Sequence, residues 1–173
     1  MQAEQRQMRI VDAILMEMDQ EAETTKRLFN VIPEDKLSWK PHPKAMSLGE
    51  LAMHIASIPG AITGLGQNDV HEFTEIPGPQ EATSKEQVLT TFAESLAAGK
   101  EILNGTTDAA AMGEWKLTKD GNTIMAMPRI AFWRAILLNH NYHHRGQLST
   151  YLRELDVELP SIYGPSADTN PFA

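Results

Sequence analysis

Residues 137–152 read LLNHNYHHRGQLSTYL and place three histidines, an arginine and a glutamine inside a segment with the pattern of a core helix. Side chains spaced three, four or seven residues apart share one face of a helix. Such a face extends through Trp133, Leu137, His140, His144, Leu148 and Leu155. The spacing predicts a last helix from about Pro128 to Glu154 whose buried stripe carries His140 and His144.

Working outward, the first part of the chain predicts two helices. A first helix ends near Asn30, and its apolar stripe consists of Ile10, Val11, Ile14, Leu15, Met18, Ala22, Leu28 and Phe29. In SLGELAMHIA, Ser47 and Glu50 have the spacing of a capping box, in which each side chain accepts a hydrogen bond from a backbone N–H at the helix start. This second helix carries His54.

A third helix follows a cap formed either by Ser84 with Gln87 or by Thr83 with Glu86. Glycine commonly ends helices, and Gly105 is placed to end this one. The apolar stripe of the third helix comprises Val88, Phe92, Leu96 and Ile102. The sequence therefore predicts four main helices.

Two connections between the helices are rich in proline and glycine. Residues 31–46 contain Pro33, Pro41 and Pro43, so we expect a loop with one short turn around residues 34–37. Residues 58–80 predict a helical start that changes into a long loop, because they contain Pro59, Gly60, Gly64, Gly66, Pro77, Gly78 and Pro79. Long loops often border functional sites.

The segment EWKLTKDGNTIMAM, before the last helix, favours a β-hairpin. Asp120-Gly121 is a strong signal for a two-residue turn, and the resulting register pairs Leu117 with Ile124. The predicted fold class is therefore all-α, a four-helix bundle with a small β-hairpin inserted before the last helix.

Composition and charge restrict the class of protein. A chain of 173 residues with 42% hydrophobic content is long enough for one core, so we expect a single domain over residues 1–173. A net charge of −8, without any cluster of Lys and Arg, argues against a nucleic-acid partner. No apolar run resembles a signal peptide or a membrane span, and we expect a cytoplasmic protein that does not bind membranes.

The histidines of the last helix have two interpretations. His140 and His144 lie one turn apart and could converge on one metal ion, with His54 of the second helix as a third ligand. Alternatively, these side chains are core residues whose hydrogen bonds are satisfied within the protein. Spacing alone leaves both interpretations open.

Several nearby residues are possible contributors to such a site. Glu50 lies one turn before His54 and could orient its ring, although the capping box already gives Glu50 a structural role. Gln147 could reach the site or a neighbouring helix, whereas Arg145 points elsewhere, toward a partner helix or the tail. The sequence does not decide whether His42, His71 or His143 contributes; His42 and His71 lie in predicted loops and His143 at the edge of the stripe.

Three segments, SLGELAMHIA, HNYHHRGQLSTYLREL and LPSIYGPSAD, resemble the DinB/YfiT-like four-helix bundle proteins over nearly the whole chain. The most specific element is the pattern H-x-x-x-H-R-G-Q, joined to a single histidine on the second helix. The resemblance implies a divalent metal, usually zinc or nickel, held by His54, His140 and His144, with solvent in the remaining positions. It also suggests a homodimer.

The resemblance leaves the reaction open, because some relatives of this fold are thiol S-transferases and others are hydrolases. A metal with an open position lowers the pKa of a bound water or thiol. The chain has no cysteine, so a reacting thiol would have to be a low-molecular-weight cosubstrate. The predicted function is a metal-dependent S-transferase or hydrolase that acts on a small electrophile. The alternative is a non-catalytic metal-binding or stress-associated bundle in which the ion ties the second helix to the last.

Overall fold

A computed structural model describes residues 8–75, 78 and 80–172 of the chain. Helix α1 spans Ile10–Asn30 and buries most of the predicted apolar stripe. The Asp12 carboxylate accepts a hydrogen bond from the Arg9 backbone N–H at 2.8 Å, which satisfies a free donor at the helix start. A 3-10 turn at Glu34–Lys36 lies where the sequence predicts a short turn.

Helix α2 spans Leu48–Leu65 and begins with the predicted capping box. The Glu50 backbone N–H donates to Ser47 Oγ at 3.0 Å, and the Ser47 N–H donates to the Glu50 carboxylate at 2.7 Å. The helix continues through Pro59 for more than another turn. The helical part of the 58–80 segment is therefore longer than its Pro and Gly content suggests.

Helix α3 spans Lys85–Asn104 and ends at Gly105, as predicted. The Gln87 backbone N–H donates to Ser84 Oγ at 3.1 Å, so Ser84 is the cap, whereas the Gln87 side-chain oxygen accepts from the Thr83 N–H at 2.7 Å. Small residues bring α3 close to α2: a Cβ atom placed on Gly99 would lie 2.8 Å from the Pro59 carbonyl oxygen. This close packing holds the proline-containing turn of α2 against α3.

The predicted hairpin is present as β2, Glu114–Lys119, and β3, Asn122–Pro128, and a short helix α4, Asp108–Met112, precedes it. Asp120 and Gly121 both adopt positive φ, 51° and 75°, as the predicted type of tight turn requires.

The predicted register of the hairpin is wrong by one residue. Leu117 pairs with Met125, not with Ile124, because the register shifts at an irregularity between Leu117 and Thr118. A shift of one residue exchanges the two faces of a strand. As a result Ile124 is 55% exposed, whereas Met125 faces inward.

A third strand, β1, occupies Val70–Glu72, where the sequence predicts a loop. It pairs in parallel with β2, which gives the strand order β1-β2-β3. The Asp69 carboxylate pairs with the guanidinium of Arg129 at 2.5 Å and fixes the start of β1. Pro77 and Pro79, which belong to the predicted loop, lie outside the described residues.

The last helix has the predicted bounds but not a uniform geometry. Pro128 precedes the short α-helix α5, Arg129–Phe132, which continues into a π-helical segment, Trp133–Leu138, and then into α6, Asn139–Glu154. A π-helix is wider than an α-helix and often marks a functional site.

Two clusters of buried side chains form the core. The first, here called the cap-side cluster, includes Phe29, Leu51, Ile55, Phe92, Leu148 and Leu152. The second, here called the sheet-side cluster, includes Met18, Ile58, Trp115, Phe132, Trp133 and Leu137. The predicted helical bundle is confirmed, with a three-stranded sheet at one end in place of an isolated hairpin. Among the described residues, no helix is both long enough and apolar enough to cross a bilayer.

Candidate metal centre

The three predicted metal ligands come together between α2 and α6. His144 Nε2 lies 2.7 Å from His140 Nε2, and His54 Nε2 lies 3.4 Å from the same atom. One ring nitrogen of each histidine lies within 4.8 Å of the other two. These three residues could therefore hold a metal ion.

Local packing places each imidazole at the edge of the core. On α2, the side chains of Ile55 and Ile58 are buried in the two different clusters, and His54 lies beside them, half-buried. On α6, His140 and His144 are separated by one turn, and Leu148 continues the buried face. The histidines thus occupy the boundary between the two clusters.

Gln147 orients one of the three rings. Its amide oxygen lies 2.7 Å from His144 Nδ1. An amide oxygen can only accept a hydrogen bond, so Nδ1 carries the proton and Nε2 has a free lone pair. Metal-binding histidines are usually held in this way by a hydrogen bond to the second ring nitrogen.

The donor set fits a divalent metal. His140 Nε2 faces the nitrogens of two other imidazoles, yet a neutral ring can donate at most one proton from that atom. Zinc–nitrogen bonds of about 2.0–2.1 Å in tetrahedral geometry place ligand nitrogens about 3.4 Å apart. The His54–His140 separation of 3.4 Å matches this value, and the 2.7 Å pair would separate to admit an ion. Imidazole nitrogens suit several transition metals, among them zinc, copper, iron and nickel.

Burial favours the uncharged form of these imidazoles. It lowers the pKa of His54 and His140, and neighbouring imidazoles lower both further. His144 is 9% exposed, and burial lowers its pKa to about 4 even though the hydrogen bond with Gln147 acts in the opposite direction. Neutral imidazole is the form that binds metals, so the site needs no proton loss near pH 7.

A pocket of about 730 Å³ adjoins the histidines, and His54 and His140 form part of its wall. The volume lies in the range of small-molecule sites. Most of the wall is apolar and comes from α2, the inner face of the sheet, α5 and the π-helical segment; it includes Met53, Ile62, Leu117, Met125, Phe132 and Ile136. The centre therefore opens onto a space that a small ligand can enter.

The DinB family model matches residues 3–170 of the chain. The chain belongs to the DinB family. In sequence it is 24% identical over 161 residues to the uncharacterized protein YrdA of Bacillus subtilis (strain 168), covering 91% of this chain and 90% of YrdA.

Two solved structures share the fold of this DinB chain. A DinB-like protein from Bacillus cereus ATCC 10987 has a TM-score of 0.67 at 23% identity, with 88% of this chain and 97% of that chain covered. The DinB-like protein YjoA from Bacillus subtilis has a TM-score of 0.66 at 22% identity, with 87% and 97% covered. The resemblance deduced from the sequence motifs is confirmed.

The other polar residues that the sequence singles out differ in their position relative to the metal centre. Glu50 bonds to Ser47 and Lys40, so its role is the helix cap. His42 is exposed and accepts a hydrogen bond from the Lys44 backbone N–H. The exposed His143 ring lies with its centre 4.9 Å from that of His144.

Arg145 is directed away from the centre, as predicted, and contacts both another helix and the tail. Its guanidinium pairs with the Glu21 carboxylate of α1 at 2.5 Å and donates to the Tyr163 hydroxyl of the tail. The arginine is only 1% exposed. Its role in this DinB chain is to join α1, α6 and the tail.

Sequence reasoning missed much of the pocket wall. His71 and Phe73 line the pocket, whereas Val70 and Glu72, which alternate with them, are exposed. This alternation is the signal of a strand, but three residues are too few to distinguish it from a loop. Met125 was misplaced for another reason, because the hairpin register could not reveal the irregularity.

Proposed function

We propose that this DinB-family protein is a divalent-metal-dependent enzyme that activates a thiol cosubstrate or a water molecule for attack on a small electrophile. His54, His140 and His144 would hold the ion, which we expect to be zinc or nickel. The observation that supports this most strongly is that two of the three proposed metal ligands, His54 and His140, form part of the wall of the pocket of about 730 Å³. An ion that only tied α2 to α6 would need no such space beside it.

The residues of the chain have distinct parts in this proposal. When bound, the ion would supply Lewis-acid chemistry by lowering the pKa of a thiol or water in its open coordination position. Gln147 holds the His144 ring with Nε2 toward the centre. The largely apolar wall lowers the polarity around the reacting groups, which strengthens electrostatic interactions there. Since the chain has no cysteine, a thiol must enter from outside.

Metal content tests the first part of the proposal. Protein purified without a histidine tag would be measured by elemental mass spectrometry, for wild type and the variants His140→Ala and His144→Ala. The exposed His42 is a matched control, since His42→Ala removes the same side chain away from the centre. We expect about one ion per chain in wild type and His42→Ala and a large loss in the other two. Wild type that stays metal-free after incubation with zinc or nickel would contradict the proposal.

Turnover tests the second part. Metal-loaded wild type would be assayed for thiol-dependent loss of small electrophiles and for hydrolysis of activated esters, with His140→Ala as the inactive comparison. A coordination shell closed by four protein ligands, with no exchangeable position, would contradict an enzyme and favour a metal-binding bundle.

The proposal also includes a homodimer, which the DinB resemblance suggests. Light scattering coupled to size-exclusion chromatography would test it at working concentration. A mass of one chain at every concentration would refute the dimer without affecting the metal centre.

A further inference from the structure

The pocket beside the histidines is apolar over most of its wall. Side chains from α2, the sheet and the π-helical segment contribute, among them Met53, Ile58, Leu117, Met125 and Ile136. A ligand in this space loses its water contacts along its body. An ionised group there would be desolvated without a partner, which is strongly unfavourable.

Apart from its histidines, the described wall of the pocket carries formal charge of one sign only. The described residues that line it include one carboxylate, Glu75, and neither Lys nor Arg. Glu75 is exposed and therefore lies at the rim. Lys119 is not a lining residue; its amino group lies 5.8 Å from the centre of the Phe73 ring. An anionic group that reached the rim would meet a like charge.

We infer that the pocket takes a small amphiphile with a single polar, metal-binding head and an uncharged hydrocarbon body. Any substituent that reaches the rim is neutral or cationic, not anionic. This inference rests on the proposed function for the head, whereas the selection of the body depends only on the wall. It narrows the class of thiol cosubstrate, because a thiol that carries carboxylates would find neither Lys nor Arg among the described wall residues.

Three thiols of matched length test the charge rule: 1-hexanethiol, 6-amino-1-hexanethiol and 6-mercaptohexanoate. Each would be titrated into cobalt-loaded protein, with thiolate-to-cobalt charge-transfer absorption as the readout. We expect the carboxylate to bind at least about tenfold more weakly than the neutral thiol, and the amine to bind at least as tightly as the neutral thiol. Equal binding of the carboxylate and the neutral thiol would overturn the inference.

Two substitutions test which wall residues discriminate against the carboxylate thiol. Glu75→Gln should remove any preference for the amine and strengthen binding of the carboxylate, whereas Met125→Lys should reverse the preference between carboxylate and neutral thiol. Glu72→Gln is the matched control, because Glu72 is an exposed carboxylate on β1 outside the pocket wall. If Glu72→Gln changed the relative affinities of the three thiols as much as Glu75→Gln does, Glu75 would not be the source of the charge preference.

A second arm uses metal-free protein and the uncharged dye Nile red, displaced by 1-hexanol or by hexanoate. Dye binding that 1-hexanol reverses at least about tenfold more effectively than hexanoate supports the inference, even if no metal binds and the proposed function fails. Failure of both dye and neutral thiol to bind a protein that does hold its metal would refute the inference and leave the metal centre intact.

Discussion

Replacing Gln147 with leucine should weaken metal binding without disturbing the fold. The Gln147 amide oxygen lies 2.7 Å from His144 Nδ1. His144 is only 9% exposed, so water has little access to replace this hydrogen bond. Without this acceptor the Nδ1–H loses its partner, and the proton can move to Nε2, the atom that faces the other histidines. Loss of such an orienting bond typically costs 10–100-fold in metal affinity, which corresponds to about 1.4–2.7 kcal/mol.

The assay is zinc competition against a colorimetric chelator at a fixed pH near 7.5, with circular dichroism to confirm folding. Gln147→Glu retains an acceptor and should stay within about threefold of wild type. Gln20 is exposed on α1, so Gln20→Leu makes the same chemical change away from the centre and should have no effect. A folded Gln147→Leu variant whose zinc affinity lies within about twofold of wild type would refute the reasoning.

Contacts away from the metal centre predict three effects on stability. Arg145→Met should lower the free energy of unfolding by about 3–5 kcal/mol in urea titrations, because the buried Glu21 carboxylate loses its cation and keeps only the hydrogen bond from Tyr163; a loss below about 1 kcal/mol would be inconsistent. Glu50→Ala should cost about 1 kcal/mol at pH 7 and leave zinc affinity unchanged. Hydrogen bonds from the Ser47 N–H and Lys40 lower the pKa of Glu50, so this difference should shrink as the pH falls below about 4.5, the ordinary value; a pH-independent difference would exclude the charged cap. Gly121→Ala should cost about 1 kcal/mol because φ is 75° there, and an unchanged melting curve would show that the turn relaxes.

The elements that the sequence predicts well depend on contacts within one turn of backbone. The capping pair Ser47 and Glu50 needs residues only three positions apart. Asp120 and Gly121 specify their turn through their own φ angles. Such local signals do not depend on the rest of the fold, which explains why the helix starts and the existence of the hairpin are predicted accurately.

Tertiary structure decides the features that the sequence does not reveal. β1 forms because β2 offers it a partner forty or more residues away in sequence, and its three residues carry little pattern of their own. The irregularity between Leu117 and Thr118 turns Met125 toward the pocket, and the turn residues Asp120 and Gly121 carry no signal of it. The spacing of His140 and His144 is likewise local, whereas the approach of His54 follows from the packing of α2 on α6. The sequence offers His54 as a possible third ligand, and the family resemblance implies the complete set.

The π-helical segment explains how one helix can serve both the sheet and the metal centre. In a uniform α-helix Trp133 and His140 would share a face, as the sequence pattern assumes. The segment at Trp133–Leu138 is π-helical. A π-helical turn contains about one residue more than an α-helical turn, which is expected to shift the faces of the following residues by about 100°. Trp133 can therefore pack into the sheet-side cluster while His140 and His144 turn toward His54 on α2. The pocket has wall residues from the sheet, from α2 and from the π-helical segment, so it adjoins both the sheet and the metal centre.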